Sequence, residues 1–163
     1  MKRLLTITTL LLLISMHVVA QKAAETIPQF NFLRLDKTEF KNKDLAVGKP
    51  IFIVFFDITC DHCQHAIIEI NKHAGEYKNA AVYLISLDDS KKMKAFLTKY
   101  GPDLIRQKNV TLLQDLKNEL ITKFKPKKYP SLFLYSAQKT LILYDDDEQH
   151  VPFFLQKIKS GKK

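Results

Sequence analysis

The chemistry in this chain starts at Cys60-Asp61-His62-Cys63, where two thiols stand three positions apart around an acid and an imidazole, and these are its two cysteines. A thiol pair at this spacing can exchange disulfides with a partner, close a standing bridge, or ligate a metal. A bridge over so short a loop removes little chain entropy, which argues against a purely stabilising role. A metal needs more donors than two. His62, His65 and His73 are close in sequence, but His65 and His73 fall off the apolar stripe that Cys63 starts, and surface histidines explain them. Asp145–Glu148 lacks the glycine and spaced ligands of a calcium loop and reads as a solvated turn. Disulfide exchange needs a reachable thiolate and a second thiol to resolve the mixed disulfide.

The flanking residues supply such an arrangement. Ile51–Phe56 is six consecutive apolar residues, a strand buried on both faces. Cys63, Ile67, Ile70 and Ala74 then fall at i, i+4, i+7 and i+11, one stripe of a helix that Gly75 ends. A helix beginning near Cys60 leaves Cys60 at its open N-terminus and Cys63 one turn inside. Free N–H groups and the helix dipole favour Cys60 as the anion; a protonated His62 adds to this, and Asp61 opposes it.

Downstream, Ala80–Leu87 is a second buried strand. Asp88-Asp89-Ser90 offers caps for a helix carrying Met93, Phe96, Leu97 and Tyr100, stopped by Gly101-Pro102. Val110–Leu113 is a short strand, and Asp115 caps an expected helix through Leu116, Leu120, Ile121 and Phe124, ended by Pro126. Ser131–Tyr135 and Thr140–Tyr144 form a hairpin, and Val151, Phe154, Leu155 and Ile158 mark a last helix. Upstream, Gln29–Asp36 is a first strand and Lys37–Gly48 a loop with a short turn. Strands alternating with helices, closed by a hairpin and a helix, define an α/β fold with a mixed central sheet flanked by helices. A C-x-x-C beside such a pattern is a thioredoxin-like redox signal.

At 163 residues and 46% hydrophobic, the chain is expected to hold one domain with a core of its own. Met1-Lys2-Arg3, the apolar stretch Leu4–Val19 and the small residues before Gln21 read as a secretory signal. The expected layout is a signal peptide over 1–20, a flexible lead-in over 21–28 and the domain over 29–163. The formal charge is +9, or about +7 without Lys2 and Arg3. In an exported chain that surplus reads as solvated surface rather than a nucleic-acid interface. Lys125, Lys127 and Lys128, before Tyr129-Pro130, read as a polar loop; the sharper alternative is that they support the Cys60 thiolate or draw acidic partners.

These residues together resemble the thioredoxin-fold superfamily, and within it the exported TlpA/ResA-like thiol-disulfide oxidoreductases and related redoxin-domain proteins. The strand into Cys60-Asp-His-Cys63, the segment Tyr129-Pro130-Ser-Leu-Phe-Leu-Tyr, and the hairpin with its final helix carry the match, which covers Gln29–Lys159. The resemblance implies a thioredoxin-like three-layer sandwich with the extra strand and helix of that branch between Ala80 and Pro102. It implies Cys60 as the attacking thiol, Cys63 as the resolving thiol, and Pro130 as a cis-proline that shapes the partner groove with Tyr129. It also implies a periplasmic monomer without cofactor, acting on protein thiols and disulfides and served by a membrane thiol-disulfide partner. Thr59 stands where relatives carry Trp, and Val54 and Ala66 stand where they carry acids. Asp57 becomes the nearest proton acceptor, with Asp61 and His62 as tuning residues. Peroxiredoxins share the fold, but their T-x-x-C pattern is broken by Asp57. The non-enzymatic alternative is a copper or zinc carrier.

Overall fold

The computed structural model describes residues 22–161, so the expected signal segment lies outside the described residues. Seven strands form one sheet in the order β2-β1-β5-β4-β3-β6-β7. These are β1 (Asn31–Arg34), β2 (Glu39–Lys41), β3 (Ile51–Phe55), β4 (Ala81–Ser86), β5 (Val110–Gln114), β6 (Ser131–Tyr135) and β7 (Leu141–Asp145). β3, β4 and β5 run parallel, whereas β6 and β7 on one side and β1 and β2 on the other pair antiparallel. The apolar run of β3 alternates between two cores, which is why it has no polar face. Phe52, Val54 and Phe56 enter one cluster, and Ile51, Ile53 and Phe55 enter the other.

Three helices cover the first face: α1 (Asp61–Lys72), α2 (Ser90–Tyr100) and α3 (Val151–Ser160). Cys63, Ala66, Ile67 and Ile70 of α1 are buried there with Met93, Phe96 and Leu97 of α2 and Phe154, Leu155 and Ile158 of α3. Gly101 lets α2 end against α1, because a Cβ at that position would meet Ile67 Cγ2 at 3.0 Å. Asp89, rather than its neighbour Asp88, caps α2, accepting from the Lys91 and Lys92 N–H groups. Among the described residues the opposite face carries no long helix. Phe30, Phe32, Phe40, Leu120 and Phe124 fill it, so the third layer is built from short turns and the chain's N-terminal segment.

The structure departs from the sequence reading in three places. The expected strand over 29–36 is shorter, and the following loop contains β2, because Lys37 at φ 70 turns the chain back and the Asp36 carboxylate holds Thr38. The helix expected over 116–124 is a single π turn, Leu120–Phe124. Asp115 is not the cap of that turn, which begins after Glu119; its carboxylate instead takes the N–H groups of Lys117, Glu119 and Leu120, and Lys125 at φ 57 ends the turn. The described part of the expected lead-in is docked rather than loose. Ala24 N–H bonds the Phe124 carbonyl, Ile27 N–H bonds the Lys139 carbonyl, and the Leu141 N–H bonds the Glu25 carbonyl.

Candidate active site

The site forms where β3 leaves the sheet. Phe56 still donates to the Ile85 carbonyl, and then Asp57 Oδ1 accepts the Thr59 N–H at 2.7 Å and its hydroxyl at 2.6 Å. That turn lifts the chain out of the sheet. The Ile58 N–H is received at 3.1 Å by Asp88 Oδ2, which also accepts the Ser86 hydroxyl at 2.8 Å. Two aspartates thus fix the segment that delivers the thiols.

Cys60 is the N-cap of α1, with extended backbone, and its sulfur accepts the Cys63 N–H at 3.3 Å. It is half-buried, whereas Cys63 is wholly buried, and the two are unbridged. The Asp57 N–H points at Cys63 Sγ from 3.4 Å. Burial pushes the Cys63 thiol far above its usual range. The Asp57 N–H works against this, while the contact with Cys60 and the nearby charges of Cys60 and Asp57 add to it. The outer thiol has the first-turn N–H donors beside it, and the inner thiol is held protonated.

Pro130 is at the same end of the sheet, since Ser131 pairs with Phe55 at the end of β3. The Tyr129–Pro130 peptide is cis, and Pro130 is buried. The Tyr129 ring lies 4.6 Å from that of Phe55, and its hydroxyl is pushed up to about 12, first by burial and then by the charges of Asp57, Asp88, Cys63 and Asp115. Tyr129 also packs against the buried cluster that holds Cys63. Its loop is pinned from behind: Ser131 Oγ donates to the Lys128 carbonyl, and the Tyr144 hydroxyl accepts the Lys127 N–H at 2.9 Å.

The tuning residues separate. Asp61 is exposed and takes a 3.4 Å contact from Gln64. His62 faces outward, its Nδ1 2.8 Å from Glu148 Oε1. Burial, the largest single influence, would raise the Glu148 carboxyl, but the hydrogen bond from His62, the Glu148 backbone N–H and the His62 charge together outweigh it and leave the group below its ordinary value. Asp57 lies beside the pair, yet its carboxylate serves Thr59 and only its N–H touches Cys63. Val54 and Ala66 are buried in the same apolar cluster as Cys63. Nothing in the sequence singles out Asp88 or Glu148 for the site. Asp88 is hidden by Asp89 as one of two adjacent cap candidates, and Glu148 belongs to an acidic run that reads as solvated. The run is a brace instead. Asp145 accepts the Asp146 and Asp147 N–H groups and pairs with His150 at 2.8 Å, while Glu148 reaches back to His62. Among the described residues no group of three or more His, Cys, Asp or Glu side chains could hold a metal ion.

A seven-stranded mixed sheet, a buried-strand-to-helix junction carrying paired cysteines and a cis-proline at the neighbouring strand define a thioredoxin-like protein. The chain belongs to the AhpC/TSA family, whose model matches residues 23–147. No curated protein sequence matches it. Among solved structures it is similar to a secreted Mycobacterium tuberculosis disulfide oxidoreductase homologous to E. coli DsbE, at TM-score 0.64 and 20% identity, covering 78% of this chain and 95% of that one. A thiol-disulfide oxidoreductase from Bacteroides fragilis aligns at TM-score 0.67 and 19% identity, covering 84% and 99% of the respective chains. Peroxidoxin BcpB from Mycobacterium tuberculosis aligns at TM-score 0.68 and 16% identity, covering 88% and 100%. At these identities the likeness is one of fold.

Proposed function

We propose that the protein is an exported thiol-disulfide oxidoreductase exchanging its Cys60–Cys63 pair with disulfides or thiols of partner proteins. The observation that carries this reading is the division of labour between the sulfurs: Cys60 at the accessible N-cap, Cys63 wholly buried one turn behind it. In the reducing direction the Cys60 thiolate attacks a partner disulfide, forming the mixed disulfide and expelling one partner thiolate. Cys63 then gives up its proton and attacks Cys60 Sγ, expelling the second partner thiolate. The partner gains two electrons and the pair becomes a disulfide; the oxidising direction is the reverse. Burial disfavours the Cys63 thiolate, so Cys63 must lose its proton before it can attack. Tyr129 and Pro130 present the backbone edge against which the partner lies. Export rests on the basic, apolar and small-residue order of residues 1–20, and a membrane thiol-disulfide partner would reset the pair.

The test is reduction of a protein disulfide by the reduced protein, together with the reduction potential of the pair. A value near about −270 mV assigns a reductant and one near about −120 mV an oxidant. Absence of any exchange with the wild-type pair overturns the proposal.

A second reading is favoured by the family match and by neighbours that include the thiol peroxidase from Chromobacterium violaceum. In it, Cys60 attacks a peroxide O–O bond, releasing an alcohol or water and leaving a sulfenic acid, which Cys63 condenses to the disulfide with loss of water. Peroxide consumption faster than disulfide exchange would select it.

A further inference from the structure

Beside Tyr129 lies a cavity of about 130 Å³ lined by Phe55, Ile121, Pro126, Lys127, Lys128 and Tyr129. Its walls are apolar, and the two lysines stand at its rim. Tyr129 packs on Phe55 at the end of β3 and against the buried cluster that holds Cys63, so the cavity sits at the end of the sheet from which the thiols are delivered. The π turn that supplies Ile121 buries Leu120 and Phe124 but leaves Ile121 40% exposed, and Leu116 just before it is 61% exposed. Ile121 therefore offers apolar surface to whatever enters the cavity. The rim charge is largely unspent as well. Among the described residues Lys127 has no carboxylate partner, its ammonium lying 5.9 Å from the Tyr144 ring, and Lys128 reaches Asp146 only at 3.7 Å.

We infer that this cavity is a specificity pocket for the partner polypeptide: it takes one apolar side chain close to the partner's exchanging cysteine, and Lys127 and Lys128 select an acidic residue next to that side chain. The inference rests on the proposed exchange activity and deepens it. An extended segment laid along Tyr129-Pro130 alternates its side chains, so one of them drops past Phe55 and Tyr129 while its neighbour stays at the rim. Apolar fit supplies affinity, and the lysines reject a basic neighbour by like charge. The partner class is therefore an exposed acidic-apolar strand bearing a cysteine.

The experiment uses the reduced full chain and short peptides whose single cysteine carries a glutathione disulfide, with Leu-Glu, Ala-Glu or Leu-Lys beside the cysteine. The Leu-Glu peptide is expected to react about tenfold faster than the Ala-Glu peptide, the scale of a small apolar difference in a fitted pocket. Ile121→Glu abolishes that preference, and Lys127→Glu weakens or reverses the preference for Leu-Glu over Leu-Lys. Equal rates for the Leu-Glu and Ala-Glu peptides, or a preference that survives Ile121→Glu, overturn the pocket. Cysteine-to-serine versions of the peptides decide it without redox chemistry, through the chemical shift of the Ile121 methyl groups. If glutathione disulfide is inert but the methyl shifts respond to the Leu-Glu peptide, the exchange activity falls and the pocket stands. If exchange proceeds and the methyl shifts do not move, the pocket alone falls.

Discussion

The junctions after β3 and after β5 start from similar material and end differently. Each leaves a parallel strand, meets an aspartate, and runs into residues at helical spacing. Asp57 spends its carboxylate on Thr59, two residues on, and leaves the start of α1 to Cys60. A sulfur accepts hydrogen bonds weakly, so the first-turn donors of α1 stay available to a negative charge that comes and goes. The helix itself then runs its full twelve residues on its buried stripe. Asp115, almost wholly buried, commits both oxygens to three N–H groups. Its donors are consumed, Asn118 and Lys125 adopt left-handed backbone at φ 56 and φ 57, and only a five-residue turn remains. A strong permanent acceptor fixes a rigid wall; a weak one leaves a reactive end.

The sharpest way to break this contrast is at the sulfurs. Cys60→Ser is expected to abolish disulfide exchange, whereas Cys63→Ser retains the first attack and accumulates a mixed disulfide, visible by mass spectrometry of the trapped adduct. Next in size is Asp115→Ala. It strands three N–H donors, at least one of them buried, and should cost about 3 kcal/mol in urea unfolding. Asp57→Ala, which frees only the exposed Thr59 N–H and hydroxyl, should cost about 1 kcal/mol. Equal costs would show that the two aspartates do the same work.

The pH response of the inner thiol sharpens the comparison. The folded-state pKa of Cys63 is raised above its ordinary value of 9.0. The unfolded chain therefore ionises first, and the stability this group contributes is complete below pH 9 and lost above it. Unfolding midpoints of the reduced protein should fall above pH 9 more steeply than those of the disulfide form, which has no Cys63 proton to lose. The smallest effect is at Glu148→Gln, expected to cost less than about 1 kcal/mol as a surface pair. Because the Glu148 carboxyl is held below its ordinary value of 4.5, the gap to wild type should be present above pH 4.5 and close as the pH falls below it. Chemical denaturation at pH 6 and pH 3 checks both limbs.

Much of this was legible in sequence because it rests on local apolar patterning. β3 and β4 show as continuous apolar runs, and α1, α2 and α3 show as stripes whose residues are buried, save Tyr100, which is half-buried against the same cluster. The stripe proposed through Leu116 and Ile121 fails because both are exposed, a fact decided by Asp115 and not by spacing. β2 escapes notice because it is three residues long with one apolar member, Phe40, paired across a non-glycine turn. The His62–Glu148 contact joins positions 86 apart, and nothing local marks either as the other's partner. The same holds for Asp88, whose grip on Ile58 exists only once β4 lies beside β3.

The docked N-terminal segment has a consequence for how copies of this chain behave toward one another. An open strand at the rim of a sheet is a template for another chain's strand. On one rim β2 is three residues long and carries the paired charges of Glu39 and Lys41. On the other, residues 25–27 lie along the start of β7, bonding Lys139 and Leu141 with Thr26 paired opposite Thr140. Processing that removed residues up to Gln29 would bare the start of β7, turning a sheet blunted on both rims into one able to recruit strands and grow into aggregates.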